Sequence, residues 1–250
     1  MSTMVAIRAI FFDLDGTLVD GSATWRAAVT ETVHVILENC IEIDPGALED
    51  AYYEVASQVW ESVRTASPPA WGSMEAEAIV SEVWTKALRR VGQSSEETVA
   101  QAATAYYTAL RRLGAPPYDD VLDCLTCLRD IYRLGIITNG NAAIQQSKMD
   151  LARLNPYFES TTTSDIGSGK PHREIFEYAA ATMGVQLAES VYIGDSLEWD
   201  VGGANGAGML SVWLNRRGAV RKSSDPIPDV VIHSLAELPS CLGQMRDGEE

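Results

Sequence analysis

Two kinds of hydrophobic patterning divide the chain. Ile7-Arg-Ala-Ile-Phe-Phe12 is a short apolar run, rich in β-branched and aromatic residues, that stops at Asp13-Leu-Asp-Gly-Thr17. Such a run predicts a buried strand ending in a loop. From Trp25 to Arg112 the apolar positions recur at helical spacing, as in Val29, Val33, Ile36 and Leu37, then Ile79, Val83, Ala87, Leu88 and Val91. Residues so spaced share one face of a helix. Ser67-Pro-Pro-Ala-Trp-Gly72 breaks this region in the middle, and Gly114-Ala-Pro-Pro-Tyr118 closes it. The pattern predicts a helical insertion of about three to five helices over roughly residues 20–116.

Beyond the insertion, helix and strand alternate. Helices are expected near Asp120 to Tyr132, Ala142 to Leu154, Arg173 to Met183, Trp199 to Asn205 and after Ser234. Between them fall strands near Leu134 to Thr138, Glu159 to Thr163, Val191 to Gly194, Leu210 to Trp213 and Val230 to Ile232. Arg216 to Pro228 reads as a loop and Asp247-Gly-Glu-Glu250 as a frayed tail. The fold class is therefore α/β: a doubly wound parallel sheet, with an α/β core over residues 1–19 and 117–250 and an all-helical domain over 20–116. Ligands of such sheets bind at the carboxyl ends of strands, where the strand order reverses.

Composition narrows the functions open to this fold. The 250 residues suffice for one large or two modest domains. A net charge of −16 argues against nucleic acid polymers and anionic membranes, which need clustered Lys and Arg. No apolar run is long enough to span a bilayer, and Met1 to Arg8 is too short for a signal peptide, so a cytoplasmic protein is expected. Cys40, Cys124, Cys127 and Cys241 suggest no disulfide framework. Cys124-Leu-Thr-Cys127 lies in a helical run without a second Cys/His pair to complete a zinc site, and reads as two thiols on a helix.

Four motifs fall at expected strand ends. Asp13 and Asp15 are two residues apart, so strand alternation sends both carboxylates to one side and Leu14 to the other. One acid can then attack phosphorus while the other moves a proton, although Asp-Gly is also an ordinary turn. Thr138-Asn139-Gly140 offers a hydroxyl, an amide and turn N–H groups to phosphate oxygens, or is simply a strand followed by a turn. Lys170-Pro171 precedes a helix, with Pro171 suited to its first position. A lysine there opposes the helix dipole and calls for an anionic partner, unless it is solvated. Asp195 and Asp200, in Gly194-Asp-Ser-Leu-Glu-Trp-Asp200, add carboxylates that suit a hard cation such as Mg²⁺, while Asp195 with Glu198 alternatively forms a capping box. The glycines of Gly202-Gly-Ala-Asn-Gly-Ala-Gly208 end a helix, where close packing and a helix stop explain them better than dinucleotide binding.

Jointly, Asp-Leu-Asp-Gly-Thr, Thr-Asn-Gly, Gly-Lys-Pro and Gly-Asp-Ser with Asp200 resemble the haloacid dehalogenase superfamily over residues 5–20 and 117–240. The helical insertion falls where that superfamily carries its cap. The resemblance implies Asp13 as nucleophile, Asp15 as general acid/base, and Thr138, Asn139 and Lys170 at the phosphoryl group. It implies Mg²⁺ held by Asp13, Asp195, Asp200 and the backbone carbonyl of Asp15. The dehalogenases of the superfamily lack the second aspartate, whereas Asp15 is present here, and an alkoxide leaving group needs a proton while a halide does not. The segments Val191 to Asp200, Val212 to Asn215 and Leu235 to Pro239 are similar to N-acylneuraminate-9-phosphatases and related pyrimidine nucleotidases. The resulting expectation is a Mg²⁺-dependent phosphatase of a small phosphorylated metabolite, a sugar phosphate or nucleotide monophosphate, acting as a monomer or homodimer. A phosphomutase and a non-catalytic regulator are the alternatives. Trp25, Arg26, Trp60, Arg64, Trp71 and Trp84 are candidate leaving-group contacts, or helix packing, and hinges are expected near Asp20 to Thr24 and Leu113 to Tyr118.

Overall fold

The computed structural model describes residues 6–38, 43–65, 76–93 and 95–247. Cys40, Trp71, the 67–72 break, the side chain of Arg64 and the final three residues lie outside this set. Six strands, β1 (Ala9–Phe12), β2 (Arg133–Thr138), β3 (Ser160–Thr163), β4 (Ser190–Gly194), β5 (Leu210–Leu214) and β6 (Val230–Ile232), form one sheet in the order β3-β2-β1-β4-β5-β6. Every neighbouring pair is parallel.

β1 runs at the centre because its residues are apolar on both faces. Ile10, Phe12 and Leu14 join one buried cluster with α5 (Val121–Leu128), α6 (Ala142–Leu151) and α9 (Leu238–Asp247). Ala9 and Phe11 join the opposite cluster with α7 (Arg173–Thr182) and α8 (Gly202–Ala207). The chain leaves β1 for β2 and β3 on one side and returns to β4 on the other, so the strand order reverses between β1 and β4. Phe12 lies opposite both Ile136 and Ile193, which brings the ends of β1, β2 and β4 level.

Among the described residues the insertion holds four helices, α1 (Ser22–Leu37), α2 (Pro45–Thr65), α3 (Ala76–Arg90) and α4 (Glu96–Leu113). The periodic residues Val29, Val33, Ile36, Ile79, Val83, Ala87 and Leu88 are buried in a core of their own, centred on Trp84 and Tyr52. The two linkers run side by side: Asp20 N–H donates to the Pro116 carbonyl at 2.9 Å and Tyr118 N–H to the Leu18 carbonyl at 3.1 Å.

Two local expectations need correction. Pro171 does not begin α7: that helix starts at Arg173 with His172 as its N-cap, and the Lys170–Pro171 peptide is cis. The turn after β4 is capped by Ser196, whose Oγ accepts from Trp199 N–H, and not by Asp195; it opens as a π-helical turn over Leu197–Val201. The glycine-rich stretch behaves as expected. Gly203 packs against Phe176 and Pro171 where a Cβ would intrude, and Gly208, at φ +91°, ends α8 in the left-handed conformation.

Candidate active site

The site assembles where β1 and β4 part. Asp13 follows β1, its N–H continuing the ladder to the Ile193 carbonyl at 2.9 Å. Asp195 follows β4, and the π-helical turn carries Asp200 back over the strand end, where Asp200 Oδ2 accepts from Ser196 N–H at 2.9 Å. Carboxylate oxygens of Asp13, Asp195 and Asp200 lie within 4.8 Å of one another. Asp13 and Asp200 are buried, while Asp195 is open to the cavity.

Lys170 is the cation among them. Its Nζ donates to Asp13 Oδ1 at 2.6 Å, Asp200 Oδ1 at 2.7 Å and Tyr192 Oη at 2.8 Å, so three acceptors match its three protons. Burial works against this charge, but Asp13 and Asp200 outweigh it and hold the ammonium protonated. The anionic partner demanded by its place before α7 is thus a carboxylate pair. One lysine does not balance three acids. Burial first, then Asp200 and Asp195, push Asp13 up to about 8 against the pull of Lys170, and burial with Asp200 pushes Asp195 up to about 6. A hard divalent cation fits this donor set, since clustered carboxylate oxygens are what Mg²⁺ accepts and its charge relieves their repulsion.

Asp15 lines the same cavity as Asp13, and Leu14 is buried on the opposite side, as strand alternation requires. Its carboxylate turns to α6 instead of joining the three acids. Lys148 Nζ lies 2.7 Å from each of its oxygens, and Gln145 Nε2 donates to Oδ2 at 3.0 Å. Burial would raise the pKa of Asp15, but Lys148 and Gln145 outweigh it and hold the group below the usual carboxylate range. Gln145 also donates to Thr138 Oγ1 at 2.7 Å. Asn139 binds the backbone of Lys170 at both ends of its amide, at 3.0 and 2.7 Å, and so helps place the lysine.

These residues floor a cavity of about 670 Å³. Its other wall comes from the insertion: Trp60 and Glu61 of α2, and Tyr106, Tyr107 and Leu110 of α4. Of the insertion residues singled out from sequence, Trp60 therefore reaches the cavity. Trp84 does not; it is fully buried against Tyr52, with ring centroids 4.4 Å apart. Trp25 lines an adjoining cavity of about 370 Å³, and Arg26 lies over the Tyr53 ring.

A model of haloacid dehalogenase-like hydrolases matches residues 7–208. The chain belongs to that family. Among its relatives, a glyceraldehyde 3-phosphate phosphatase of Methanopyrus kandleri is 32% identical over 93% of this chain and 95% of its own length. The human N-acylneuraminate-9-phosphatase is 28% identical over 94% of each chain. The solved structure of a HAD-hydrolase from Bacillus subtilis, bound to magnesium, superposes with a TM-score of 0.76 at 23% identity, covering 95% of this chain and 99% of that one. The structural likeness confirms the α/β fold, and the family makes the protein a hydrolase. Three residues of this hydrolase site escaped the sequence reading: Gln145, Lys148 and Tyr192. Gln145 and Lys148 are one helical turn apart beside the buried Ile144 and Met149, and a buried glutamine on an otherwise apolar stripe was the available signal.

Proposed function

We propose that the protein is a magnesium-dependent phosphatase of small phosphorylated metabolites, with Asp13 as nucleophile. The observation that carries this reading is the pair of separately held carboxylates: Asp13 among Lys170, Asp195 and Asp200, and Asp15 on its own support beside the same cavity. Two acids with different partners suit two different roles. In the first step an oxygen of Asp13 attacks phosphorus as the bond to the leaving oxygen breaks, and Asp15 gives that oxygen its proton. In the second step Asp15 takes a proton from water as the water oxygen attacks phosphorus and the bond from phosphorus to the Asp13 oxygen breaks, returning the Asp13 carboxylate and releasing phosphate.

Lys170 supplies fixed positive charge next to the attacking carboxylate, and Thr138 presents its hydroxyl from the end of β2. For Lys170 to touch a phosphoryl oxygen directly, that oxygen replaces one of its three present acceptors. Asp13, Asp195, Asp200 and the backbone carbonyl of Asp15 are the groups assigned to Mg²⁺, which, when bound, neutralises charge on the phosphoryl group. The insertion acts as a cap: its aromatic wall, Trp60, Tyr106 and Tyr107, faces the catalytic floor and is where a leaving group is read. The relatives named for a triose phosphate and for an acylneuraminate phosphate both act on small phosphorylated metabolites, which supports this substrate class.

A screen of phosphorylated metabolites and one aryl phosphate, each with and without Mg²⁺, tests the proposal. Phosphate release that requires Mg²⁺ and disappears in Asp13→Asn is expected. No release from any ester, or full activity in Asp13→Asn, contradicts it.

A further inference from the structure

Asp15 is held unusually tightly for a residue on an open cavity. Its side chain is 41% exposed, yet both oxygens meet Lys148 Nζ, whose own side chain is 13% exposed. Gln145 adds a third hydrogen bond from the same helix, and its Nε2 is also within reach of Thr138 Oγ1 and the Asn139 carbonyl. One face of α6 thus ties the end of β1 to the end of β2. The helix is anchored for this: Asn141 Oδ1 accepts from the N–H groups of Ala143 and Ile144, and Asp165 Oδ2 accepts from Ala142 N–H.

We infer that Lys148 and Gln145 are positioning residues that aim Asp15 at the leaving-group oxygen. This rests on the phosphatase reading and deepens it. As the Asp13–phosphorus bond forms, the electron pair of the breaking phosphorus–oxygen bond goes to the leaving oxygen, which takes the proton of Asp15. Negative charge then develops on the Asp15 carboxyl, where Lys148 lies 2.7 Å from both oxygens. Two donor side chains on one helix fix the direction in which both Asp15 oxygens point, and it is this orientation that the transfer uses. Gln145 acts on two groups. Its Nε2 donates to Thr138 Oγ1, whose own proton goes to the Asn139 carbonyl at 3.4 Å, a long contact that a phosphoryl oxygen would replace, while the same amide restrains Asp15.

The role makes a distinction that plain structural support does not. An alkyl phosphate leaves as an alkoxide and depends on the proton; p-nitrophenyl phosphate leaves as a stabilised phenolate and depends on it little. The experiment compares kcat/KM for the two esters in the full chain with Mg²⁺. Lys148→Met is expected to lower the alkyl value by about 30-fold or more and the aryl value by less than about threefold, within the range general acids supply. Lys148→Gln repeats the test with a polar end, and Lys148→Arg recovers most of the loss. Gln145→Leu is expected to show the same split together with a raised KM. Equal losses on both esters, or no recovery in Lys148→Arg, overturn the assignment. A wild-type protein that turns over neither ester overturns the phosphatase reading itself, whereas wild-type turnover with equal losses overturns only the role given to α6.

Discussion

Gly194 has no room for a side chain. A Cβ there would lie 2.2 Å from Asp200 Cγ, and one on Gly16, whose φ is +82°, would lie 2.5 Å from Asp195 Oδ2. Gly194→Ala is therefore expected to displace Asp200, cost at least about 1 kcal/mol and remove Mg²⁺-dependent activity; wild-type turnover in that variant contradicts the packing described. Asp13 and Asp195 also set a pH dependence. Their folded-state pKa values, about 8 and about 6, lie above the ordinary 3.8, so the folded protein binds more protons than the unfolded chain through that window. Without metal, their contribution to stability falls as pH rises from about 4 to about 8. Mg²⁺ binds the deprotonated acids, so the rise in Tm on adding Mg²⁺ is expected to grow from pH 5 to pH 8. A metal effect that shrinks over that range contradicts the crowding of these acids. Asp13, Thr138, Lys170, Asp195 and Asp200 could be singled out only jointly, because each motif alone also reads as a turn, a cap or a solvated side chain and it is their order along the chain that is specific. Lys148 could not, since its partner lies 133 positions away and a lysine on a helix ordinarily reads as solvated.

At the scale of elements, the loops beneath the site are held by Asp120. It accepts from both terminal nitrogens of Arg216 at 2.8 Å, from Ser234 Oγ at 2.6 Å and from Leu235 N–H at 2.8 Å, while Arg216 Nη2 also donates to the Thr17 carbonyl. Arg216 further lies 4.1 Å from the centre of the Tyr118 ring, in the linker. The N-terminus of α5, the segments before α9 and after β5, and the loop of Asp13 and Asp15 are thereby joined. Burial works to raise the pKa of Asp120, but Arg216, Ser234 and Leu235 bring it down to about 2. Its contribution is present above the ordinary carboxylate pKa and is lost as pH falls toward 2. Asp120→Asn is expected to cost about 1–3 kcal/mol at neutral pH and to flatten the acid limb of a Tm–pH curve; an unchanged curve refutes the brace. Element order and type could be read from periodicity, because the helices of the insertion show long amphipathic stripes and the strands are short apolar runs. The start of α7 and the turn at Leu197–Val201 could not, because Lys170 and Asp200 are drawn together across the sheet edge and local capping preferences yield to that contact.

For the molecule as a whole, the two linkers pair at Val19 and Pro117, α4 of the insertion also packs on α6, and a cavity lies between the insertion and the sheet edge. Closure of that cavity would exclude water before attack. A disulfide tying the linkers is expected to slow turnover of bulky esters by at least about tenfold and to leave small ones less affected; unchanged rates count against a moving cap. At the cavity floor Lys170 and Lys148 face the four carboxylates of Asp13, Asp15, Asp195 and Asp200, so a phosphate ester would rely on a bound divalent cation for the balance of the positive charge. The nucleophilic role of Asp13 is the claim on which the rest depends. The stereochemical course at phosphorus, followed with an ester made chiral by oxygen isotopes, tests it most directly. Attack by Asp13 and then by water on the aspartyl-phosphate inverts phosphorus twice, so overall retention is expected. Overall inversion would show water attacking the ester directly and would contradict that role.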